Sequence, residues 1–214
     1  MKEKLMDMYK RMISFFGPQR WWPAEDPFEV MVGAVLTQNT NWKNVEKAIK
    51  NLKERGILNI KSLYYVPEKE ISYIIRPAGY YNIKAKRLKN LVSHIYERYE
   101  GDINKFFSLD LSSLRSELLS IKGIGPETAD SIILYAAQKP IFVVDAYTFR
   151  ILKRHGIIYD EISYDELQEI FMKNLPTDVK LFNEFHALIV ETGKRFCKKK
   201  PTCEKCPLNG WPEA

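Results

Sequence analysis

Ile121-Lys122-Gly123-Ile124-Gly125-Pro126-Glu127-Thr128-Ala129 is a turn set between two stretches of helical spacing, Leu111 to Ser120 before it and Ala129 to Gln138 after it. Two glycines flanking an isoleucine let the backbone turn without side-chain obstruction, and Pro126 and Thr128 then open a new helix. Backbone N–H groups at such a turn point outward, which makes it a ready anion site. An apolar stretch follows, and then Val143-Val144-Asp145-Ala146-Tyr147 sets a single carboxylate at the head of the next helix. A Gly-x-Gly turn is also an ordinary joint of a helical protein, so the string bears on architecture before it bears on function.

Outward from the hairpin the helical period continues and no alternating apolar-polar run is long enough for a sheet, so the fold class is all-α. Met1 to Phe16 reads as an amphipathic helix stopped by Gly17-Pro18, Pro27 to Leu36 as the next, and Trp42 to Arg55 as a third stopped at Gly56. Pro67 to Ile75 and Ile83 to Tyr99 follow, with short helices and turns between. Beyond Lys139-Pro140 come Ala146 to His155, Ser163 to Asn174 and Val179 to Phe196, where Ser163 and Glu166 have capping-box spacing.

The 214 residues carry 33 lysines and arginines against 27 acids, a net charge of +6. Clusters at Lys84, Lys86, Arg87 and Lys89 and at Lys194, Arg195, Lys198, Lys199 and Lys200 fit a polyanion partner, although such runs also serve as solvated helix faces. No long apolar run or signal peptide is present, so no membrane partner is expected and the chain reads as cytoplasmic. Cys197, Cys203 and Cys206 lie too close together for a secreted disulfide framework and point instead to metal.

The order Ile-x-Gly-x-Gly, Thr-Ala, a buried helix and Val-Asp resembles the helix-hairpin-helix DNA glycosylases of the endonuclease III superfamily. The resemblance extends to Gly33-Ala34-Val35-Leu36-Thr37-Gln38-Asn39-Thr40, similar to that family's first barrel helix and glutamine loop. It also covers Gly79-Tyr80-Tyr81-Asn82-Ile83-Lys84-Ala85-Lys86-Arg87-Leu88, similar to its glycine-aromatic helix start. It implies a two-lobed fold with a six-helix barrel over 26–138 and a terminal lobe built from 1–25 and 139–214, with Asp145 at the mouth between them. It implies double-stranded DNA with a damaged base as the partner and a monomeric enzyme.

Residue by residue, the resemblance gives Gly123 and Gly125, with Lys122 and Thr128, a grip on a DNA phosphate. It makes Gln38 the side chain that fills the gap left by a flipped nucleotide; Asn39 is more simply a helix cap. Asp145 becomes the catalytic group, stabilising positive charge on the sugar or activating water, while an N-cap role for the same residue remains open. Bifunctional members carry a lysine just before the Thr-Ala. Here Glu127 stands there, and a carboxylate forms no imine, which implies a glycosylase without lyase chemistry.

Trp21, Trp22, Pro23 and Trp42 are candidates for a base pocket, since indole faces stack on bases and favour cationic ones; the alternative is that they simply pack the fold. With Glu127 they make the chain look most like the 3-methyladenine glycosylase III branch, acting on alkylated purines. Uracil or thymine mismatch excision and another endonuclease III-like specificity are the nearest alternatives, and a non-catalytic DNA-binding module is an alternative of another class. The cysteines resemble the family's [4Fe–4S] loop, but Pro212 stands where the fourth cysteine is usual and the gap from Cys197 to Cys203 is one residue short. A cluster, zinc and a remnant all remain open.

Overall fold

The computed structural model describes residues 1–159 and 162–212, and among these no strand occurs. The helices are α1 (Lys2–Phe16), α2 (Pro27–Leu36), α3 (Trp42–Glu54), α4 (Ile60–Tyr65), α5 (Glu68–Ile74), α6 (Tyr81–Tyr99), α7 (Ile103–Phe107), α8 (Leu111–Ser120), α9 (Pro126–Ser131), α10 (Ala146–Arg154), α11 (Tyr164–Asn174) and α12 (Val179–Arg195). Two compact units arise from the chain: Ala24–Lys139, and Met1–Pro23 together with Pro140–Ala214.

The first of these units is organised around α2. Asp26 caps it by accepting from Glu29 N at 2.9 Å, Pro27 supplies a preset φ at its first position, and every residue from Phe28 to Leu36 is buried. A helix buried on all faces, its one charged residue Glu29 paired with Lys53 at 2.9 Å, belongs at a centre rather than a surface. It packs against α3, α6 and the wide turn Ile132–Ala136 that continues α9, while α4 and α5 cover α6. That wide turn replaces the last part of the regular helix expected over 129–138. Its carbonyls are reached from further along the chain, as in Ala137 N to Ile132 O at 3.0 Å, and all five of its residues are buried.

The sequence reading gives no boundaries for α4 and α7. Each is too short for a 3.6-residue period to show, and each is marked only by its cap, Asn59 accepting from Ser62 N and Asp102 from Asn104 N and Lys105 N. Helix α6 begins two residues earlier than expected, after Tyr80 in a left-handed conformation.

In the second unit α12 packs on α10 and α1, and α1 also meets α11. Its core joins Met8 and Met12 of α1 to an aromatic cluster in which Phe142 stacks on Phe171 at 4.0 Å and meets Phe182 and Phe185 edge-on. The capping box of Ser163 and Glu166 forms as its spacing predicts.

Lys84 of α6 is only 1% exposed, and its ammonium donates to Leu36 O and Ala78 O, both at 2.8 Å. Burial, aided by the charge of Arg87, lowers its pKa from the ordinary 10.5 to about 8. Lys84→Met leaves two buried carbonyls without their donor and should cost about 2–4 kcal/mol in denaturant unfolding at pH 7. Because the folded pKa lies below the unfolded one, the ammonium's burial penalty is fully present below about pH 8 and is relieved as pH rises towards 10.5. The stability advantage of the wild type over Lys84→Met should therefore widen between pH 8 and 10, and an advantage that stays level would mean the amine is not titrating there.

Candidate nucleic-acid interface and catalytic site

The hairpin and Gln38 come together in the unit 24–139. Gly123 has φ +99, a region that favours glycine, and a Cβ there would run into Arg87 Cγ. Gly125 differs from the sequence expectation: its φ of −95 is open to any residue, and what it contributes is bare space where a side chain would stand. Ile121 and Ile124 are buried on the inner side of the turn, while Lys122 is exposed and its carbonyl accepts from Asn90 Nδ2 at 2.8 Å.

Gln38 Nε2 donates to Thr128 Oγ1 at 2.9 Å and to Gly123 O at 3.3 Å, and Gln38 Oε1 accepts from Arg87 Nη1. Thr128 is itself buried, so its hydroxyl serves Gln38 rather than standing at the surface beside Lys122. Asn39 is not the cap expected of it: it sits at φ 53, and Asn41 caps α3 by accepting from Asn44 N at 3.1 Å. Trp42 opens α3 with its indole N–H turned to Glu46 Oε1 on the same helix, at 2.8 Å. Glu127 lies exposed in the first turn of α9.

Asp145, Trp21, Trp22 and Pro23 belong to the other unit. Asp145 N-caps α10 in a capping box in which Oδ1 accepts from Thr148 N at 2.7 Å and Thr148 Oγ1 at 2.8 Å. Its Oδ2 stands 3.7 Å from Nε2 of the buried His186 on α12. Burial by itself would raise the Asp145 carboxyl, but the neighbouring His186, with the Thr148 donors, outweighs it and holds the pKa below the usual carboxylate value. The group is a part-buried, oriented carboxylate, ionised at neutral pH. Trp21 and Trp22 meet edge to face at 5.5 Å, and the Lys194 ammonium lies 5.3 Å from the centre of the Trp21 ring. Pro23 is exposed.

A model of the HhH-GPD superfamily of base excision DNA repair proteins matches residues 32–177. The chain belongs to that superfamily. A Methanocaldococcus jannaschii protein named as a DNA repair glycosylase is 51% identical over 208 residues, covering 96% of this chain and 94% of its own. The solved structure of H. pylori 3-methyladenine DNA glycosylase bound to 1,N6-ethenoadenine is similar with a TM-score of 0.80 at 34% identity, over 90% of this chain and 98% of that one. A trapped covalent intermediate of endonuclease III with DNA gives a TM-score of 0.83 at 26% identity, over 97% and 93%. The protein is an endonuclease III-related DNA glycosylase of base excision repair.

The basic runs and cysteines of this HhH-GPD chain are arranged differently from their sequence reading. Of Lys84, Lys86, Arg87 and Lys89, only Lys86 is exposed. Lys84 is interior, Arg87 holds Gln38, and Lys89 donates to the carbonyls of Leu63, Tyr64 and Val66 at the end of α4. Lys194, Arg195 and Lys198 to Lys200 are exposed.

Cys197, Cys203 and Cys206 line one small pocket of about 90 Å³ with Arg154 and His155. Cys197 Sγ accepts from Arg154 Nη1 at 3.2 Å, and burial pushes the Cys206 thiol up. Among the described residues no group of three or more His, Cys, Asp and Glu side chains is placed to hold a metal ion. With Pro212 at the fourth position, the residues do not fit a four-thiolate cluster.

Thr148 and His186 are neighbours of Asp145 that the sequence reading did not single out. Asp-x-x-Thr spacing carries a signal for Thr148; nothing local marks His186. Thr148→Val removes the hydroxyl donor to Asp145 Oδ1 and should cost about 1 kcal/mol at pH 7. The stability contributed by a depressed carboxyl is present above its unfolded pKa and lost as pH falls through the folded one. The gap between wild type and Thr148→Val should therefore narrow in melts taken at progressively more acid pH, whereas a purely steric effect would leave it constant.

Proposed function

We propose that this glycosylase is monofunctional: it flips an alkylated purine such as 3-methyladenine out of double-stranded DNA, hydrolyses its glycosidic bond and leaves the strand intact. The observation that carries the reading is Asp145, part-buried and ionised with one oxygen committed to the α10 cap and the other directed towards His186. A base inside a duplex has to leave the stack before chemistry, which calls for a backbone grip, a gap filler, a pocket and a catalytic group. The Gly123 turn with Lys122 is the grip, Gln38 the gap filler and Trp21 and Trp22 the candidate pocket walls.

The chemistry matches the residues. In an N-alkylated purine the glycosidic electron pair passes into a ring that is already cationic, so the base departs neutral and needs little protonation. Positive charge grows on the sugar, where the Asp145 carboxylate stabilises it; water adds to the anomeric carbon and its proton passes through the carboxylate to solvent. Two observations support the absence of a lyase step and the substrate class. Glu127, exposed in the hairpin, has no amine to attack the sugar. The 34% identical H. pylori relative is a 3-methyladenine glycosylase that binds an ethenoadenine base.

The test is to incubate the protein with methylated DNA and with duplexes bearing single defined lesions, uracil and G·T mismatches included, and to assay free base and strand breaks separately. Release of 3-methyladenine without breaks is expected. Release of uracil or thymine alone would reassign the substrate, and a borohydride-trapped adduct would contradict the monofunctional reading. Asp145→Asn keeps an Oδ1 acceptor for the α10 cap while removing the charge. It should lower base release by roughly 10²–10⁴ and leave duplex binding intact. Equal base release by the two proteins would make Asp145 a cap alone.

A further inference from the structure

Both ends of the Gln38 amide are occupied inside the protein. Thr128 Oγ1 and Gly123 O accept from its Nε2 at 2.9 and 3.3 Å, and Arg87 donates to its Oε1. A side chain that must enter a base stack has to give up these bonds, and the Arg87 bond is the charge-assisted one, of the kind about twice as strong as a neutral hydrogen bond.

Arg87 reaches Gln38 across the hairpin itself. Its stem lies against Gly123, where a Cβ would collide with Cγ and stand 3.1 Å from both Cδ and Nε. The guanidinium is therefore beside the turn that grips the backbone in the function proposed above. Its partner is an amide oxygen, and among the described residues no carboxylate pairs with it. A planar cation with several donors is matched far better by a phosphate, which can take two of them at once, than by one neutral oxygen. The Lys84 ammonium, of like sign, lies within reach of the Arg87 charge and adds to the pull on an arriving anion.

We propose that Arg87 is a latch and positioning residue for Gln38: it holds the amide against the hairpin when DNA is absent and exchanges it for a backbone phosphate when the hairpin docks. The grip on the strand then releases the group that fills the gap, so a base is displaced only where the backbone is already held. The proposal rests on Gln38 being the inserting side chain.

Equilibrium binding to an undamaged duplex over a range of salt concentrations tests it, using wild type, Arg87→Met, Gln38→Ala and the double variant. In the wild type an arriving phosphate has to displace the amide. Gln38→Ala vacates the guanidinium beforehand and should bind undamaged duplex about three- to tenfold more tightly. That gain should vanish when Arg87 is also Met. Arg87→Met should flatten the slope of log K against log salt by about 0.9, the share of one phosphate. Equal or weaker binding by Gln38→Ala, together with an unchanged slope in Arg87→Met, would overturn the exchange and leave Arg87 as packing under Gly123.

Arg87→Lys guards against a folding defect, since it keeps the stem and charge but loses the planar fork. It should retain the salt slope and abolish most of the gain from Gln38→Ala. The gap-filling role is read separately, as base release from a lesion duplex by Gln38→Ala: a rate equal to wild type would overturn that role without touching the binding comparison.

Discussion

A helix buried on every face ends at Leu36, itself fully buried, and the Lys84 ammonium donates to the carbonyl of that residue. An unpaired carbonyl in that position would cost more than an ordinary hydrogen bond returns, and an unpaired ammonium more still. The two needs are met together, and Ala78 O takes a second donor from the same nitrogen. The contact fixes the end of α2, hence the start of the loop carrying Gln38, relative to α6, which carries Arg87. Everything at the hairpin follows from the placement of those two elements.

On that frame Gly123 performs a structural task beside the anion-binding one read from its sequence. Its positive φ turns the chain, and its lack of a side chain admits the Arg87 stem, so the same glycine shapes the outer face of the hairpin and its inner support. Gly125 shares only the outer task. The paired glycines of the motif are thus not equivalent, and a side chain at Gly125 would alter the surface presented to a ligand while one at Gly123 would dislodge Arg87.

Much of this was legible in the sequence, for reasons that differ element by element. Helices α2 and α8 have the bounds their capping residues and apolar spacing predict, because Asp26-Pro27 and Asp110-Leu111 are local signals for a local event. The cap role of Asp145 was legible for the same reason, since its position at a helix head is local too. The environment of its second oxygen was not legible, since His186 arrives from 41 positions further along by tertiary packing. The basic run over 84–89 misleads for the same reason: charge can be counted in a sequence, but whether a cation meets solvent, a carbonyl or an amide is decided by the surface its helix faces. Here one lysine is interior, one closes a helix end, and the arginine restrains a glutamine.

The cap of α10 and the catalytic role proposed for Asp145 are compatible because a carboxylate has two oxygens and the structure assigns them differently. Oδ1 is held by the backbone and hydroxyl of Thr148, which is all a cap requires and which fixes the plane of the group. Oδ2 is left with His186 at 3.7 Å, beyond a normal hydrogen bond, so it keeps lone pairs available to a developing cation or a water proton. Burial then favours the chemistry: a charge in a low-dielectric place acts more strongly on a nearby sugar cation than the same charge in water. The cost of placing it there is offset by His186 and the cap itself, so the helix terminus that stabilises the unit also helps to keep the carboxylate ionised for the proposed chemistry.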